Sequence, residues 1–451
     1  MDQELEEILH PQIHPFSNLH SLREESHPII ERGEGIYLID TSGTRYLDAM
    51  SSLWCVTLGY SQPRLVNAAK KQLSNLPYSH SFRGRSTPSV NKLAEKLIDI
   101  SPNQITNVFF ASSGSEANES AIKIAWTFHK SKGVPTRRKI LSHQKSYHGS
   151  AIFSALLSGS ASMHEHQNCE LTDIIFTTTP DFHHEALSEE TEEDFSNRLV
   201  TELENLILRE RPETVAAFIA EPVMGVGGVI IPPKNYFKKI QKVLSRYGIL
   251  FIADEVICGF GRTGSMFGSQ TFNLTPDIMT VAKGLSSAYF PISAVLITKR
   301  VNEGLTMLSK QTGLFSHGFT YSGHPVGAAV AMETIKIIEE DRILDHVKAV
   351  SKLFKLKLHE LSDDASVLNA RSVGLMGAFD LVVPKTGHSN QPGMSQAGNK
   401  LMNLAQKHCL FIRAVGDTIV LAPPLIISES EINMLFERLT AAICDWQKCS
   451  L

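Results

Sequence analysis

Three ionic residues in the middle of the chain each follow a continuous apolar run. The runs span 215–220, 249–253 and 279–282, and the residues that follow them are Glu221, Asp254 and Lys283. These residues are 33 and 29 positions apart, close to the length of one strand-helix-strand unit. Continuous apolar strands are typical of a parallel sheet covered on both faces, and ligands bind beyond the carboxyl ends of such strands. We therefore expect the three charges to surround one crevice.

Lys283, at the end of a buried strand, has the chemistry of a nucleophile. Burial disfavours its charged form, and an uncharged amine can form a Schiff base with a carbonyl compound. The alternative is a structural lysine whose aliphatic stem is buried while its ammonium group reaches the surface.

Asp254 occupies an equivalent position, and a buried carboxylate needs a cationic partner. A protonated pyridine nitrogen would be such a partner, and the pairing would keep the pyridine ring able to withdraw electrons. The alternative is an aspartate that caps a loop or pairs with an arginine such as Arg262.

Residues 112–116 (Ser-Ser-Gly-Ser-Glu) lie between an apolar strand at 108–110 and an amphipathic helix that contains Ala117 and Ala121. Free N–H groups at a helix start, beside small hydroxyl side chains, form an anion site. The alternative is simple N-capping by Ser113 or Ser115. Together, an anion seat, a pyridinium partner and an aldehyde-capturing amine are what pyridoxal phosphate (PLP) requires.

Two other kinds of site are suggested by shorter patterns in the sequence. The stretch 259–264 matches the dinucleotide-binding pattern GxGxxG. However, no amphipathic helix follows it, and no acidic residue stands about twenty positions further on at the end of a second strand. Histidine-rich stretches could suggest a metal, but they lack paired ligand spacing, so we expect surface histidines and no metal site. These stretches contain His164, His166 and Cys169, and His183, His184 and Glu185.

Composition excludes several classes of protein. The 451 residues suggest about two domains, and a net charge of −4 does not favour a nucleic-acid binder. No run approaches the roughly 18 apolar residues of a membrane span. The acidic first residues resemble neither a signal nor a transit peptide, and the six cysteines are scattered. We therefore expect a cytoplasmic protein with reduced thiols that binds neither nucleic acid nor membrane.

The remaining patterns predict an α/β fold in which a large, mostly parallel sheet is accompanied by a smaller α+β domain. Residues 1–34 suggest a short helix and an arm, 35–47 a hairpin, and 160–195 an exposed loop. The last third suggests a strand at 374–383, a hairpin at 410–421 and a helix capped by Ser428. We expect the small domain to combine 1–60 with 329–451, and the large domain to span 61–328.

Several motifs resemble those of class III (subgroup II) PLP-dependent aminotransferases. They are 251–264 with 282–284 downstream, and also 113–118, 147–149, 221–225 and 319–325. The likeness runs from about His14 to about residue 445. It implies PLP as the cofactor, the fold of PLP fold type I, and a homodimer with active sites shared at the subunit interface.

The resemblance also implies residue roles. Gly114 and Ser115 would bind the phosphate, completed by Thr320 of the partner subunit. Tyr147 and Val256 would cover the two faces of the ring. Lys283, Asp254 and Tyr147 would be catalytic, with Lys283 forming the internal aldimine. The implied cofactor set is Ser113, Gly114, Ser115, Tyr147, His148, Glu221, Asp254, Val256, Lys283, Phe319 and Thr320.

Within the class, residues 52–55 and 411–414 are most similar to ω-amino-acid or amine:pyruvate transaminases. Trp54 would line the substrate pocket, and Arg413 would bind the keto-acid carboxylate and swing aside for other amines. Glu221 would neutralise Arg413 when no carboxylate is bound. The segment 78–85 resembles the pocket loop, with Phe82 and Arg83 as substrate-binding candidates. Arg83 stands where many relatives have an aromatic, and it could point inward to favour an acidic donor or outward as a surface charge.

The expected function is ping-pong transfer of an amino group from an amine or ω-amino acid to a keto acid, namely pyruvate. Other class III activities remain open, namely diaminopelargonate, ornithine or 4-aminobutyrate transamination. Two further alternatives are a nicotinamide-dependent oxidoreductase and a non-catalytic binding protein that kept the fold.

Overall fold

The computed structural model describes residues 12–20, 27–102, 104–160, 163–164, 173–383 and 396–449. The strands are β1 (Ile30–Glu34), β2 (Tyr37–Asp40), β3 (Arg45–Asp48), β4 (Ile105–Ala111), β5 (Lys139–His143), β6 (Ile174–Thr177), β7 (Val215–Ala220), β8 (Leu250–Asp254), β9 (Ile278–Val281), β10 (Ser293–Thr298), β11 (Val367–Val373), β12 (Met376–Leu381), β13 (Leu410–Phe411), β14 (Arg413–Val415) and β15 (Thr418–Leu421). The α-helices are α1 (Ser51–Trp54), α2 (Pro63–Asn75), α3 (Pro88–Ile100), α4 (Gly114–Ser131), α5 (Ile152–Leu157), α6 (Phe182–Glu185), α7 (Glu192–Arg209), α8 (Tyr236–Tyr247), α9 (Gly268–Thr271), α10 (Lys299–Thr312), α11 (Pro325–Glu340), α12 (Ile343–Glu360), α13 (Gln396–Lys407) and α14 (Glu429–Lys448).

The central sheet has seven strands in the order β4-β10-β9-β8-β7-β5-β6. The pairs from β9 to β6 are parallel, whereas β10 runs antiparallel to both of its neighbours. The three apolar runs of the sequence are β7, β8 and β9, and every residue of these strands is buried. This confirms the expected α/β fold with a mostly parallel sheet.

Both faces of the central sheet are covered. Along β7 and β8, Phe218 and Phe251 belong to one hydrophobic cluster, while Ile219 and Ile252 belong to a second. Successive side chains of a strand point to opposite faces, so this alternation assigns one cluster to each face. Burial on both sides explains why these strands are apolar throughout rather than alternating with polar residues.

Two four-stranded sheets lie outside the central one, in the orders β1-β2-β3-β13 and β11-β12-β15-β14. In the first, β13 from the last third of the chain pairs in parallel with β3 of the N-terminal hairpin. The hairpin at 35–47 and the final helix capped by Ser428 are as the sequence predicts, and the strand predicted at 374–383 forms over 376–381. In the described part of the chain, no helix is long and apolar enough to cross a membrane.

Three local predictions were wrong. The region 160–195 is not simply a loop, because 174–177 form β6 against β5, and α6 and α7 follow. The apolar residues of β6 stabilise the strand by packing at the edge of the sheet, and the polar residues that flank them in the sequence do not indicate this. The expected arm ends in β1, which pairs antiparallel with β2. The hairpin at 410–421 is shorter than expected, since 410–411 leave it to join β3.

Candidate active site

The carboxyl ends of β7, β8 and β9 are level with one another. Ala220 pairs with Ala253, and Asp254 pairs with Thr280. This register brings the three predicted ionic residues together around a cavity of about 190 Å³. The lining residues are Gly114, Ser115, Asn118, Tyr147, His148, Gly149, Glu221, Asp254, Val256, Ile257 and Lys283.

Asp254 is held as an ionised carboxylate by hydrogen bonds from three directions. Its Oδ2 accepts from His148 Nδ1 and from Asn118 Nδ2, each at 2.7 Å, and its Oδ1 accepts from the Val256 N–H at 3.0 Å. Burial by itself would raise the pKa of Asp254, but the hydrogen bond and charge of His148 outweigh it. The net result is a pKa below the usual value.

Asn118 is a site residue to which the sequence analysis gave no role. Its Oδ1 accepts from Thr280 Oγ1 at 2.7 Å, and its Nδ2 also donates to the His148 carbonyl at 2.7 Å. It therefore links α4, β9 and the segment after β5 to the Asp254 carboxylate. A signal was present, because Asn118 lies four residues after Gly114 and so shares its face of the helix.

Lys283 lies two residues beyond β9 in a strained backbone conformation, with a φ of 46°. Left-handed backbone is uncommon for a long side chain and persists where the surrounding structure enforces it. Burial lowers the pKa of Lys283 below the usual lysine value, although the negative charges of Asp254 and Glu221 partly offset this effect. The geometry therefore favours a larger fraction of uncharged amine than an exposed lysine has.

The start of α4 forms the wall of the cavity at Gly114 and Ser115. Ser113 caps the helix, since its Oγ accepts from the Glu116 N–H at 3.2 Å. The N–H groups of Gly114 and Ser115 lie in the first turn, where an α-helix supplies no acceptor. A Cβ atom at Gly114 would lie 3.1 Å from Val256 Cγ1, so glycine leaves this wall open. Such a helix start is suited to an anion.

Glu221 fixes the backbone beside Tyr147. Its two carboxylate oxygens accept from the Tyr147 N–H at 3.1 Å and from the Gly225 N–H at 3.0 Å. Burial, reinforced by the charge of Asp254, raises the pKa of Glu221 to about 7. Glu221 and Arg413 form no ion pair in this structure, and the Glu221 carboxylate instead accepts from these two backbone groups.

Two of the predicted substrate residues lie behind or beside the cavity rather than on its wall. Trp54 is 2% exposed and packs in a cluster with Ile257, which does line the cavity. Arg413, on β14, is partly buried, and burial lowers its pKa. Its charge acts on Lys283, but no residue in the described part of the chain forms an ion pair with its guanidinium.

The other predicted residues lie on a separate surface. Phe82 and Thr320 are exposed, and their two segments are joined by a hydrogen bond from Tyr78 Oη to the Thr320 carbonyl at 2.6 Å. The structure does not bring Phe82, Arg83, Phe319 or Thr320 to the cavity of their own chain. Arg83 points into solvent here, and its role in binding stays a prediction.

The alternative sites find no support. Arg262 donates to the carbonyls of Leu375 and Pro423 and to Ser51 Oγ, so it does not pair with Asp254. The described residues contain no cluster of potential metal ligands. His184 instead pairs with two aspartates, and His166 and Cys169 lie outside the described residues.

Lys283 and Asp254 follow the ends of parallel strands, beside the start of α4, whose first N–H groups are available to an anion. This arrangement is that of a PLP-dependent enzyme of fold type I. The chain belongs to the class III aminotransferase family, whose model, "Aminotransferase class-III", matches residues 21–443. It is therefore a transaminase that uses PLP.

Relatives and solved structures agree with this membership. Gamma aminobutyrate transaminase 3, chloroplastic, of Solanum lycopersicum is 45% identical over 418 residues, spanning 92% of this chain and 80% of its own length. Vanillin aminotransferase of Capsicum chinense is 43% identical over 421 residues, spanning 93% and 92%. The ω-transaminase of Pseudomonas jessenii in complex with PMP superposes with a TM-score of 0.94, at 44% identity over 97% of each chain. A thermostable ω-transaminase variant engineered for synthesis of enantiopure bulky amines gives 0.95, at 43% identity over 98% of each.

The residues present fit the cofactor. Gly114 and Ser115 would hold its phosphate, Asp254 its ring nitrogen and Lys283 its aldehyde carbon. When bound, PLP supplies an electrophilic carbon and a ring that withdraws electrons. The uncharged amine of Lys283 can accept a proton from a substrate carbon and return it. Asp254, ionised at neutral pH and held by His148, would keep the ring nitrogen of the bound cofactor protonated.

Proposed function

We propose that this transaminase takes an amino group from an amine or ω-amino acid and delivers it to pyruvate. The observation that carries the proposal is the partly buried guanidinium of Arg413, which acts electrostatically on Lys283 and Tyr147 and lacks an ionic partner in the described chain. A buried cation without a counter-charge is unfavourable. The carboxylate of a keto acid can provide two parallel hydrogen bonds to it.

A comparison of residue intervals supports this assignment. Trp54, Phe82 and Arg413 follow one another at intervals of 28 and 331 residues. The variant engineered for bulky amines carries replacements of a tryptophan, a phenylalanine and an arginine at the same intervals. We infer that these three positions shape the amine pocket in this protein as well.

We further propose that the active sites are shared within a homodimer. Phe82, at 47% exposure, and Tyr321, at 59%, belong to a surface that also contains Thr320. Exposed aromatic side chains that adjoin one another are typical of interfaces. A second copy of the chain would cover these side chains. Phe82 and Thr320 of each subunit would then reach the cavity of the other subunit.

Pyruvate matches the charge of the site better than 2-oxoglutarate. Pyruvate has one carboxylate, which Arg413 can bind, whereas 2-oxoglutarate has a second that needs another cation. Among the described residues that line the cavity, Lys283 is the one Lys or Arg side chain, and its amine is required for the reaction. For the donor, we favour 4-aminobutyrate as the first ω-amino acid to test, because several relatives are named for that substrate.

The test is to follow the two half-reactions separately. The PLP-loaded enzyme would be mixed with 4-aminobutyrate, ornithine, diaminopelargonate or a carboxylate-free arylalkylamine. The aminated enzyme would then be mixed with pyruvate or 2-oxoglutarate. In steady-state assays with both substrates, we expect the parallel double-reciprocal lines of a ping-pong mechanism. The kcat/KM for pyruvate should be at least roughly tenfold higher than that for 2-oxoglutarate, which corresponds to one charged hydrogen bond. A preference for 2-oxoglutarate, or a specific requirement for ornithine, would overturn the proposal.

A further inference from the structure

A group of ionic side chains joins the central sheet to the sheet that carries Arg413. This junction cluster consists of Lys145, Asp181, His184, Arg371 and Asp380. Lys145 follows β5, Asp181 and His184 lie at α6, and Arg371 and Asp380 lie on β11 and β12. Its charged members come from chain segments separated by nearly 200 residues, so the cluster forms only when the two sheets are assembled.

His184 is the bridge between the two halves of the cluster. Its Nδ1 lies 2.9 Å from Asp181 Oδ2, and its Nε2 lies 3.2 Å from Asp380 Oδ2. The aspartate side chains are largely buried, at 5% and 12% exposure. An imidazole ring can donate from both nitrogens only when it is protonated. This placement suits an imidazolium between two carboxylates.

Asp380 connects His184 to the sheet that carries Arg413. Its Oδ1 accepts from Thr418 Oγ1 at 2.7 Å, and its two oxygens pair with Arg371 at 3.2 Å each. Arg371 in turn donates to the Gly228 carbonyl at 2.7 Å. Gly228 lies in the loop that follows Glu221, so the cluster contacts the cavity's surroundings as well as the sheet.

Thr418 connects the cluster to Arg413. Thr418 and Val420 lie on β15, and they pair with Val415 and Arg413 on β14. We propose that His184 is a positioning residue for Arg413, tying the β14–β15 hairpin to α6 so that the guanidinium is aimed at the substrate carboxylate. This inference rests on the proposed function, which gives Arg413 that carboxylate.

The charges around His184 keep the bridge formed at neutral pH. Hydrogen bonds that His184 donates to Asp181 and then to Asp380 raise its pKa to about 9, against the usual 6.5. The other charged or titratable groups near it are His183 and Glu185 on α6, Lys145 after β5 and Arg371 on β11. Above pH 9 the ring loses a proton, and one of the two carboxylates loses its donor.

The experiment measures keto-acid KM and kcat in wild type, His184→Gln, Arg413→Leu and the double variant. We expect His184→Gln to raise the KM for pyruvate roughly fivefold with kcat little changed, in the range of coupling between linked residues. The half-reaction with a carboxylate-free amine should be unaffected. In the Arg413→Leu background, His184→Gln should have no further effect on that KM, because it acts through Arg413.

Two further variants exclude a merely structural effect. His408→Gln removes another histidine-aspartate pair, in which His408, directly after α13, lies 2.9 Å from Asp445 on α14, and it should leave the KM for pyruvate unchanged. His184→Lys retains a cation and should recover part of the affinity. It should also keep that affinity above pH 9, where the wild type loses it. Thermal unfolding of every variant would be recorded alongside the kinetics.

The outcomes separate the two hypotheses. If Arg413→Leu leaves the KM for pyruvate unchanged, the proposed carboxylate role fails. If Arg413→Leu raises that KM but His184→Gln does not, only the positioning role is overturned. Equal losses for pyruvate and for the carboxylate-free amine, or additive effects in the double variant, would also overturn it.

Discussion

The cofactor side and the substrate side of this enzyme are built in different ways. The cofactor side consists of adjacent strand ends and the start of α4, held by buried hydrogen bonds such as those of Asp254. The proposed substrate side consists of α1, the segment 78–83 and β14, none of which belongs to the central sheet.

This difference separates reaction chemistry from substrate choice. The central sheet fixes the amine, carboxylate and anion seat that transamination requires. The peripheral elements are positioned by smaller sheets and exposed surfaces, so they can vary without disturbing the cofactor. Sites carried by a common fold diversify in this way.

Lys283→Ala should reduce amine transfer by at least about 10³-fold, since the side chain is both nucleophile and base. The measurement is the rate of each half-reaction, together with circular dichroism to verify folding. Lys299→Ala is the matched control, because Lys299 is 79% exposed at the start of α10. Substantial activity in the Lys283 variant would contradict the assigned chemistry.

Asp254→Asn keeps the shape of the side chain but removes its charge. We expect kcat to fall about 10²-fold, the usual cost of losing a charge aimed at the reacting group. His148 can still hydrogen-bond to the amide oxygen, so the fold should persist. Asp99→Asn, a change on the surface of α3, serves as the control for a lost carboxylate. An unchanged kcat would mean that Asp254 is only structural.

Arg413→Leu tests the substrate side. We expect the KM for pyruvate to rise roughly 10- to 100-fold, as for the loss of a charged hydrogen-bond pair. The rate of the half-reaction with a carboxylate-free amine should remain within about twofold of the wild-type rate, because that amine has no carboxylate for Arg413 to bind. Arg209→Leu, on the exposed face of α7, is the control. Loss of both half-reactions would place Arg413 on the cofactor side instead.

Gly114→Ala should weaken PLP binding roughly tenfold, because overpacking of this size costs about 1–3 kcal/mol. The added methyl group would lie 3.1 Å from Val256 Cγ1 and narrow the cavity wall. The readout is the dissociation constant of PLP from equilibrium titration. The double variant with Val256→Ala restores space and should recover part of the affinity. No recovery would indicate that the helix start itself has moved.

The smallest effect concerns stability against pH. Because the folded-state pKa of His184 is raised from 6.5 to about 9, its stabilising contribution is complete below pH 6.5 and is lost as pH rises through 9. The difference in unfolding free energy between wild type and His184→Gln should therefore shrink between pH 6.5 and 9. Denaturant titrations across this range would reveal it. A difference that grows with pH would exclude the imidazolium bridge.

Much of the fold could be predicted because its signals are local. The apolar runs of β7, β8 and β9 and the capping box at Ser428 each involve neighbouring residues. The strand at 174–177 is not evident from the sequence because three apolar residues in a polar region do not outweigh their surroundings until β5 is beside them. The parallel pairing of β13 with β3 joins residues more than 350 positions apart, and nothing in either segment signals it.

The amino-acid sequence is sufficient to identify the residues at the strand ends, because a parallel sheet aligns its carboxyl ends whatever the details of packing. Lys283, Asp254 and Glu221 follow from that rule. Tertiary structure alone decided what those residues touch. The hydrogen bonds of Asp254 to His148 and Asn118 span 106 and 136 residues. Such contacts depend on how helices and loops close over the sheet, and the same closure carries His184 from a polar stretch to the bridge between two sheets.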